Sequence, residues 1–498
     1  MRDTPSPKLA PEPFDKTSAD IILRSSDKVD FYVYKAVLFL ASKFFESMFA
    51  LEQPIAAVEE KPILDVPEDS NTLENLLRFC YPVYDPSIND LPQLSRVLQA
   101  AANYEVPVAI KTLREQLRGF VQARPREVYA IACLHNLNKE AKIAASVWRK
   151  KSTPLDWDTE WDFLMTVPGG VFIPEMAGIS AGAYFRLIRY LRTGQSTNFC
   201  TPLKQDNPPS GNTEVDWTTQ APLNREDADI TLRSCDGIEF RAHKLVLVIA
   251  GAEALLRSKG RDISADPNHS ITLDIDSRVL GPLLRLCYPP SATHVESSKE
   301  AGTIDTRTYG DVLDTAVRYE MSALVQAIRS NLAKESTHDA LSLYLIAARL
   351  GWTSEAQAAA ERLLGGPLDE LYSPELERTM AIHYHYLLEY HHSCQLAIQE
   401  VYKERHYNRP PVFSARYGSG HSTDKPLMRW NEQWFKSQTQ SYVRSFPSVL
   451  LDAEVGRATS NHNHVVDFQK LIGESQKMDN EIKKVIQKVN NFYCLVYA

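Results

Sequence analysis

The sequence is short of almost everything that an enzyme, a secreted scaffold or a membrane protein would need. Its seven cysteines lie far apart in 498 residues, form no C-x-x-C pair and are odd in number. That pattern opposes a disulfide framework or zinc ribbon and points to reduced thiols inside the cell, in cytoplasm or nucleus. No apolar run approaches the roughly 20 residues that cross a bilayer. Met1 to Pro13 holds four prolines and lacks the apolar core of a secretory signal, so residues 1–15 are expected to be a disordered arm. Basic residues are in deficit, 55 against 63 acidic, and the net charge of -8 opposes general binding to nucleic acid or to an acidic membrane.

Catalytic patterns are equally scarce. Gly365-Gly366-Pro367 lacks the Lys-Ser/Thr of a phosphate loop, and neither G-x-G-x-x-G nor G-x-S-x-G occurs. The histidines His383, His385, His391 and His392 are spaced by two, seven and eight positions, whereas chelating pairs on a helix stand four apart. No nucleophile and base pair up. The expectation is a chain with no catalytic residue, no cofactor and no metal.

What the chain does have is itself, twice. Leu76-Leu77-Arg78-Phe79-Cys80-Tyr81-Pro82 returns as Leu283-Leu284-Arg285-Leu286-Cys287-Tyr288-Pro289, an offset of 207, and Asp20 to Ser25 returns as Asp229 to Ser234 at 209. Farther on, Tyr104-Glu105, Tyr129 and Glu140-Ala141 answer to Tyr319-Glu320, Tyr344 and Glu355-Ala356 at 215, and Tyr184, Leu187 and Tyr190 to Tyr384, Leu387 and Tyr390 at 200. A unit of this length is a folded module and not a solenoid repeat, whose period is about 20 to 50 residues.

Each copy reads as a hairpin, helices, a strand and more helices. Asp20 to Leu23 and Val29 to Tyr34 are strand-forming runs about a polar turn, and in the second copy Asp236-Gly237 supplies the positive φ that a tight turn needs. Phe44, Phe45, Met48 and Phe49 make an apolar stripe at helical spacing. A strand is predicted at 62–66, then a helix capped by Asn71 with Glu74 as reciprocal partner, with Leu73, Leu76, Leu77 and Cys80 facing inward. Gly251 falls where the first copy has Ser42, and as a glycine inside a helix it is expected to cost about 1 kcal/mol against Ala. The Tyr-Leu-Tyr stripes read as core. Residues 291–308 form a polar insertion in the second copy, most simply a surface loop.

This order of elements resembles the BTB/POZ fold. The residues that carry the resemblance are the opening Asp-φ-x-φ at Asp20 and Asp229, Phe240-Arg241-Ala242-His243-Lys244-Leu245-Val246-Leu247 as F-x-x-H-K-x-x-L, and Ser42 with Phe45, Met48 and Phe49. Tyr34 stands where the family usually has His. The alanine-rich text downstream of each copy resembles a divergent helical BACK-like extension of the kind found in multi-copy fungal BTB proteins.

The resemblance implies an α+β chain of two tandem BTB/POZ-like modules, each a short sheet flanked by helices and followed by an α-helical extension. The divisions expected are a first module over 16–123 with its extension over 124–193, a linker over 194–226, a second module over 227–333 with its extension over 334–405, and a C-terminal helical region over 406–498. It further implies a non-enzymatic adaptor or scaffold that binds other proteins, by self-association or by intramolecular pairing of its modules. The helix faces expected to serve as contact or core are Phe44, Phe45, Met48 and Phe49 in the first module and His243, Lys244, Leu255 and Leu256 in the second.

Two alternatives stand beside that reading. A substrate adaptor of a cullin-type ubiquitin ligase would use an apolar-x-Glu motif after Met48-Phe49, which Leu51-Glu52 matches poorly. A transcription-associated regulator would want a DNA-binding segment, and none is evident. In the C-terminal region, Trp430 and Trp434 mark a predicted helix, and Leu471, Met478, Ile482, Val485, Val489 and Phe492 an amphipathic one. Three heptads are marginal for a coiled coil, so docking onto the second extension is favoured over intermolecular pairing.

Overall fold

The computed structural model describes residues 8–50, 61–151, 171–195, 197–200, 222–223, 225–256, 270–288, 306–334, 339–364, 368, 371–408, 477 and 480–490. The chain forms two compact units, the first comprising Met1–Ile179 with Ala183–Pro202 and the second Ser180–Gly182 with Leu203–Ala498. Leu51-Glu52 of the cullin-adaptor alternative, much of the 291–308 insertion and the predicted tryptophan helix near Trp430 lie outside the described residues.

In the first unit, β1 (Lys8–Leu9), β2 (Ile21–Arg24), β3 (Val29–Val33) and β4 (Ile63–Asp65) make one sheet in the order β1-β3-β2-β4. Strands β2 and β3 pair antiparallel with Leu23 opposite Phe31, and β4 joins β2 in parallel with Leu23 opposite Leu64. Around the sheet stand α1 (Lys35–Ala41), α2 (Lys43–Ala50), α3 (Ser70–Cys80), α4 (Leu91–Asn103) and α5 (Pro107–Gly119). The extension adds α6 (Pro125–Leu134), α7 (Asn138–Lys151) and α8 (Ala181–Thr193).

The hairpin and α3 are tied together by short polar side chains. Ser25 Oγ accepts from the Val29 amide at 3.0 Å, Lys28 takes φ 62°, and the Asp27 carboxylate receives both the amide (2.8 Å) and the hydroxyl (2.6 Å) of Ser70. Hydrogen bonding from Ser70 and Ser25 holds the Asp27 carboxyl below its usual range. The cap of α3 is Asp69 and not Asn71. Asp69 is extended at φ -70° and ψ 160° and accepts from the Thr72 amide at 2.9 Å, whereas Asn71 lies in the first turn, where its side chain accepts from the Asn75 side-chain Nδ2.

The proline-rich arm also departs from expectation. Residues 8–14 are laid along the hairpin, with Lys8 opposite Val29, the Ala10 amide on the Asp30 carbonyl (2.9 Å) and the Phe14 carbonyl receiving the Tyr32 amide (2.9 Å). Phe14 is fully buried, its ring 5.8 Å from Phe31 and 5.1 Å from Tyr81. Otherwise the outer edge of β3 would present unpaired amides and carbonyls, and a proline-rich strand can still satisfy an edge.

The second unit repeats the plan. Strands β5 (Ile230–Arg233), β6 (Glu239–Ala242) and β7 (Ser270–Thr272) form a sheet in the order β6-β5-β7, with Leu232 opposite Phe240 and Ile271. Helices α9 (Lys244–Ile249), α10 (Glu253–Leu256), α11 (Ser277–Cys287), α12 (Thr306–Arg318) and α13 (Ser322–Lys334) complete the module. Its extension holds α14 (Ala340–Arg349), α15 (Thr353–Leu363), α16 (Glu375–Arg378) and α17 (Ala381–Asn408).

The same side chains make the same ties at the predicted offsets. Ser234 Oγ accepts from Ile238, Gly237 takes φ 87°, and Asp236 receives the Ser277 amide (3.0 Å) and hydroxyl (2.6 Å). Gly251 differs from its reading as a weak helical residue. It stands just past α9 at φ +73°, where its amide bonds the Val248 carbonyl (3.0 Å) and the Ala252 amide the Leu247 carbonyl (2.7 Å). That is a Schellman closure, which only glycine enters without cost.

Finally, a helix over 480–490 packs on α17, with Ile482 in one cluster with Ile398 and Val401. The expected docking onto the second extension is present, through part of the predicted amphipathic stretch.

Candidate functional site

The predicted contact residues divide between core and surface. Phe45 is 2% exposed, stacked 5.3 Å from Tyr104, and Leu255 is fully buried. Both are core. Phe44 is 41% exposed but meets Tyr104 edge-on at 5.3 Å, while Met48, Phe49 and Leu256 are half-buried.

His243 and Lys244 are fixed by the fold. The His243 amide and Nδ1 both meet the Tyr288 hydroxyl (3.0 and 2.9 Å), and the Lys244 amide donates to Asp229 at 2.7 Å. In the first module the Tyr34 amide donates to the Tyr81 hydroxyl (2.9 Å) and the Lys35 amide to Asp20 (2.7 Å). The family-like His-Lys dipeptide and the opening Asp therefore hold the exit of the hairpin into the next helix. In both copies the dipeptide donates its two backbone amides to the tyrosine hydroxyl and the Asp carboxylate, so Tyr34 serves where the other copy has His243.

Sequence reasoning missed a pair of exposed apolar positions that recurs in both modules. Leu40 is 86% exposed and Phe39 43%, and at an offset of 209 Ile249 is 75% exposed and Val248 42%. These four end α1 and α9. The duplication is the signal that finds them, because large apolar residues recur in one register although neither packs inward.

A second feature joins each module to its extension. Glu140 on α7 is fully buried and accepts from Arg114 (3.1 and 3.2 Å) and Arg118 (2.6 Å) on α5. Burial alone would raise the Glu140 carboxyl, but hydrogen bonds from Arg114, its own backbone and Arg118 bring it below the usual carboxylate range. Glu355 and Arg329 repeat the pair at 215, with one bond of 2.8 Å, and the guanidinium lowers the Glu355 carboxyl to about 2.

Beside Glu140 lies a cleft of about 700 Å³ whose walls include Lys43, Lys111, Arg114, Arg118 and Lys139, with Glu105 and Glu115. The counterparts of Lys111, Arg118 and Lys139 are Gln326, Ala333 and Ser354. The basic wall belongs to the first module.

The histidine cluster behaves as helix surface and core. His391 is 2% exposed, and His385 faces Glu389 at 3.4 Å one turn on. Among the described residues, Cys235, Asp236 and Asp276 come close enough to share an ion, all three exposed. Asp236 and Asp276 are already used as acceptors at the start of α11. The six cysteines among the described residues are free thiols, and burial raises Cys80 and Cys287 to about 12, consistent with packed, unreactive sulfur.

The BTB/POZ domain model matches residues 12–120 and 220–336. No curated protein matches the chain. The two matched regions coincide with the two hairpin-and-helix modules, and the chain is a protein of two tandem BTB/POZ domains.

Proposed function

We propose that the chain is an intracellular, non-catalytic adaptor or scaffold whose two modules each offer the exposed end of the helix after the hairpin to a protein partner. BTB/POZ domains are protein-interaction modules. The observation that carries the finer reading is the matched exposure of Phe39-Leu40 and Val248-Ile249. An exposed leucine alone is ordinary, but two adjacent large apolar residues kept at one register in both copies form a surface that water disfavours. The free thiols support a reducing compartment, cytoplasm or nucleus.

The test is Leu40→Glu and Ile249→Glu, singly and together, in the full chain. Light scattering on a sizing column reads self-association against a monomer of 56.3 kDa, and proximity labelling reads other partners. The expected result is loss of self-association or of a defined set of labelled proteins, each contact weakened by about tenfold or more. A chain that stays at 56.3 kDa and labels the same proteins in all four forms would sink the assignment of these helix ends.

A further inference from the structure

The two extensions differ in what fills them. In the first, Phe199 is fully buried, edge-on to Tyr129 at 5.4 Å and to Tyr190 at 5.3 Å. Its amide donates to Asn138 (2.8 Å), and its carbonyl accepts from Arg186 Nε (3.0 Å) and Nη2 (2.9 Å). The chain returns to this point because α8 ends at Gly194, φ +73°, where a side chain would collide with the Arg149 guanidinium. Phe199 is a plug from a nearby segment.

The second extension keeps the socket. Tyr344 and Tyr390 stand in the register of Tyr129 and Tyr190, and Ala347, Ala356 and Ala360 in that of Ala132, Ala141 and Ala145. The Tyr129 hydroxyl donates to the Ala183 carbonyl and the Tyr344 hydroxyl to the His383 carbonyl, each at 2.9 Å. Where Phe199 would be, a cavity of about 250 Å³ opens between Tyr344, Trp352, Tyr386, Tyr390 and Asn490. No described side chain fills it.

The source of a plug has also changed. Gly194 is answered by Cys394, which is buried within α17, so the helix runs on to Asn408 and residues 395–400 do not turn back. The helix over 480–490 lies on α17 instead, and its last described residue, Asn490, stands in the cavity wall, 4% exposed, with its side-chain amide on Glu361. Beyond it the sequence reads Asn491-Phe492-Tyr493-Cys494, close to Asn198-Phe199-Cys200. Two residues reach up to about 7 Å, enough to cross from the wall into the cavity.

We propose that the cavity of the second extension is a phenylalanine-binding socket and that Phe492 of the same chain occupies it, as Phe199 occupies its counterpart. Tyr386 replaces Arg186, so the guanidinium clamp on the plug's carbonyl is not repeated. The ring therefore carries the contact, by edge-to-face packing among Tyr344, Trp352 and Tyr390.

The experiment places a benzophenone amino acid at position 492 of the full chain and crosslinks a mixture of isotopically heavy and light protein. Crosslinks within one copy to peptides spanning 340–364 or 381–392 are expected. Hydrogen exchange over 340–364 should quicken about tenfold in Phe492→Glu and much less in Phe492→Leu, with circular dichroism checking that both variants remain folded. Crosslinks to other regions, crosslinks between heavy and light copies, or unchanged exchange in folded Phe492→Glu would each overturn the proposal.

Discussion

Glu140 shows how one buried charge depends on what is removed. Its carboxylate is fully buried while Arg114 and Arg118 keep 33% and 43% of their side-chain surface in water. Taking away the carboxylate frees two cations that can be hydrated, but taking away both cations strands an anion. Arg114→Ala with Arg118→Ala is therefore expected to cost about 3 to 5 kcal/mol, clearly more than Glu140→Ala, as denaturant titration would show. The sign with pH follows from the direction of the shifts. The Glu140 and Glu355 carboxyls lie below their unfolded value, the latter at about 2, so the unfolded chain binds more protons in acid. Their stabilisation is present at neutral pH and fades as pH falls through roughly 4.3 toward the folded values. In Glu140→Gln and Glu355→Gln the decline of melting temperature between pH 6 and 3 should be shallower. Nothing local in the sequence pairs these residues. The repeated Glu-Ala was visible, but its arginines lie 22 or 26 positions upstream, on another helix.

At the scale of elements, periodicity and turn chemistry carried the reading. Both hairpins, the strand that follows and the helix with Leu73, Leu76 and Leu77 inward are where pattern places them, and those leucines are at most 1% exposed. The reading of ends was weaker, because an end is decided by competition between neighbours of similar chemistry. Asp69 outcompetes Asn71 as cap since Ser70, the first helical residue, is pinned by Asp27 from the hairpin turn. Phe14 was hidden for a related reason: its partners Phe31 and Tyr81 are distant in sequence, and the prolines around it suggest disorder. Gly251 and Ser42 stand at the equivalent junction, just past α9 and α1, and do different things there. Ser42 caps α2 by accepting the Phe45 amide at 3.1 Å and donates to the Tyr104 carbonyl, while Gly251 uses its positive φ. Gly251→Ala should then cost about 1 to 2 kcal/mol through the backbone alone, since its added methyl would meet only Ala323 at 3.8 Å. Ser42→Ala should cost about 1 kcal/mol by loss of the cap. A Gly251→Ala variant as stable as the parent by chemical denaturation would remove the Schellman account.

At the scale of the whole molecule, duplication supplied what a single copy could not, a comparison of one plan under two sequences. What survives in both copies is structural: the serine and aspartate at the hairpin, the tyrosine hydroxyl at its exit, the glutamate paired with an arginine. What differs is the basic cleft of the first module, the plug of each extension and the closure of the helix after each hairpin. Two compact units with separate cores are expected to unfold in separate steps, since multidomain chains commonly depart from two-state behaviour. Calorimetry of the full chain at neutral pH should resolve two transitions. Arg114→Ala with Arg118→Ala belongs to the first unit and Gly251→Ala to the second, so each should lower one transition and leave the other in place. For units of this size a loss of 1 kcal/mol moves the midpoint by about 2 to 4 °C. The arginine variant should therefore shift its own peak by several times the scan-to-scan error, while the glycine variant gives a smaller shift in the other peak. If both substitutions lower one shared transition together, the units unfold as a single cooperative body, and assigning each substitution to its own core is wrong.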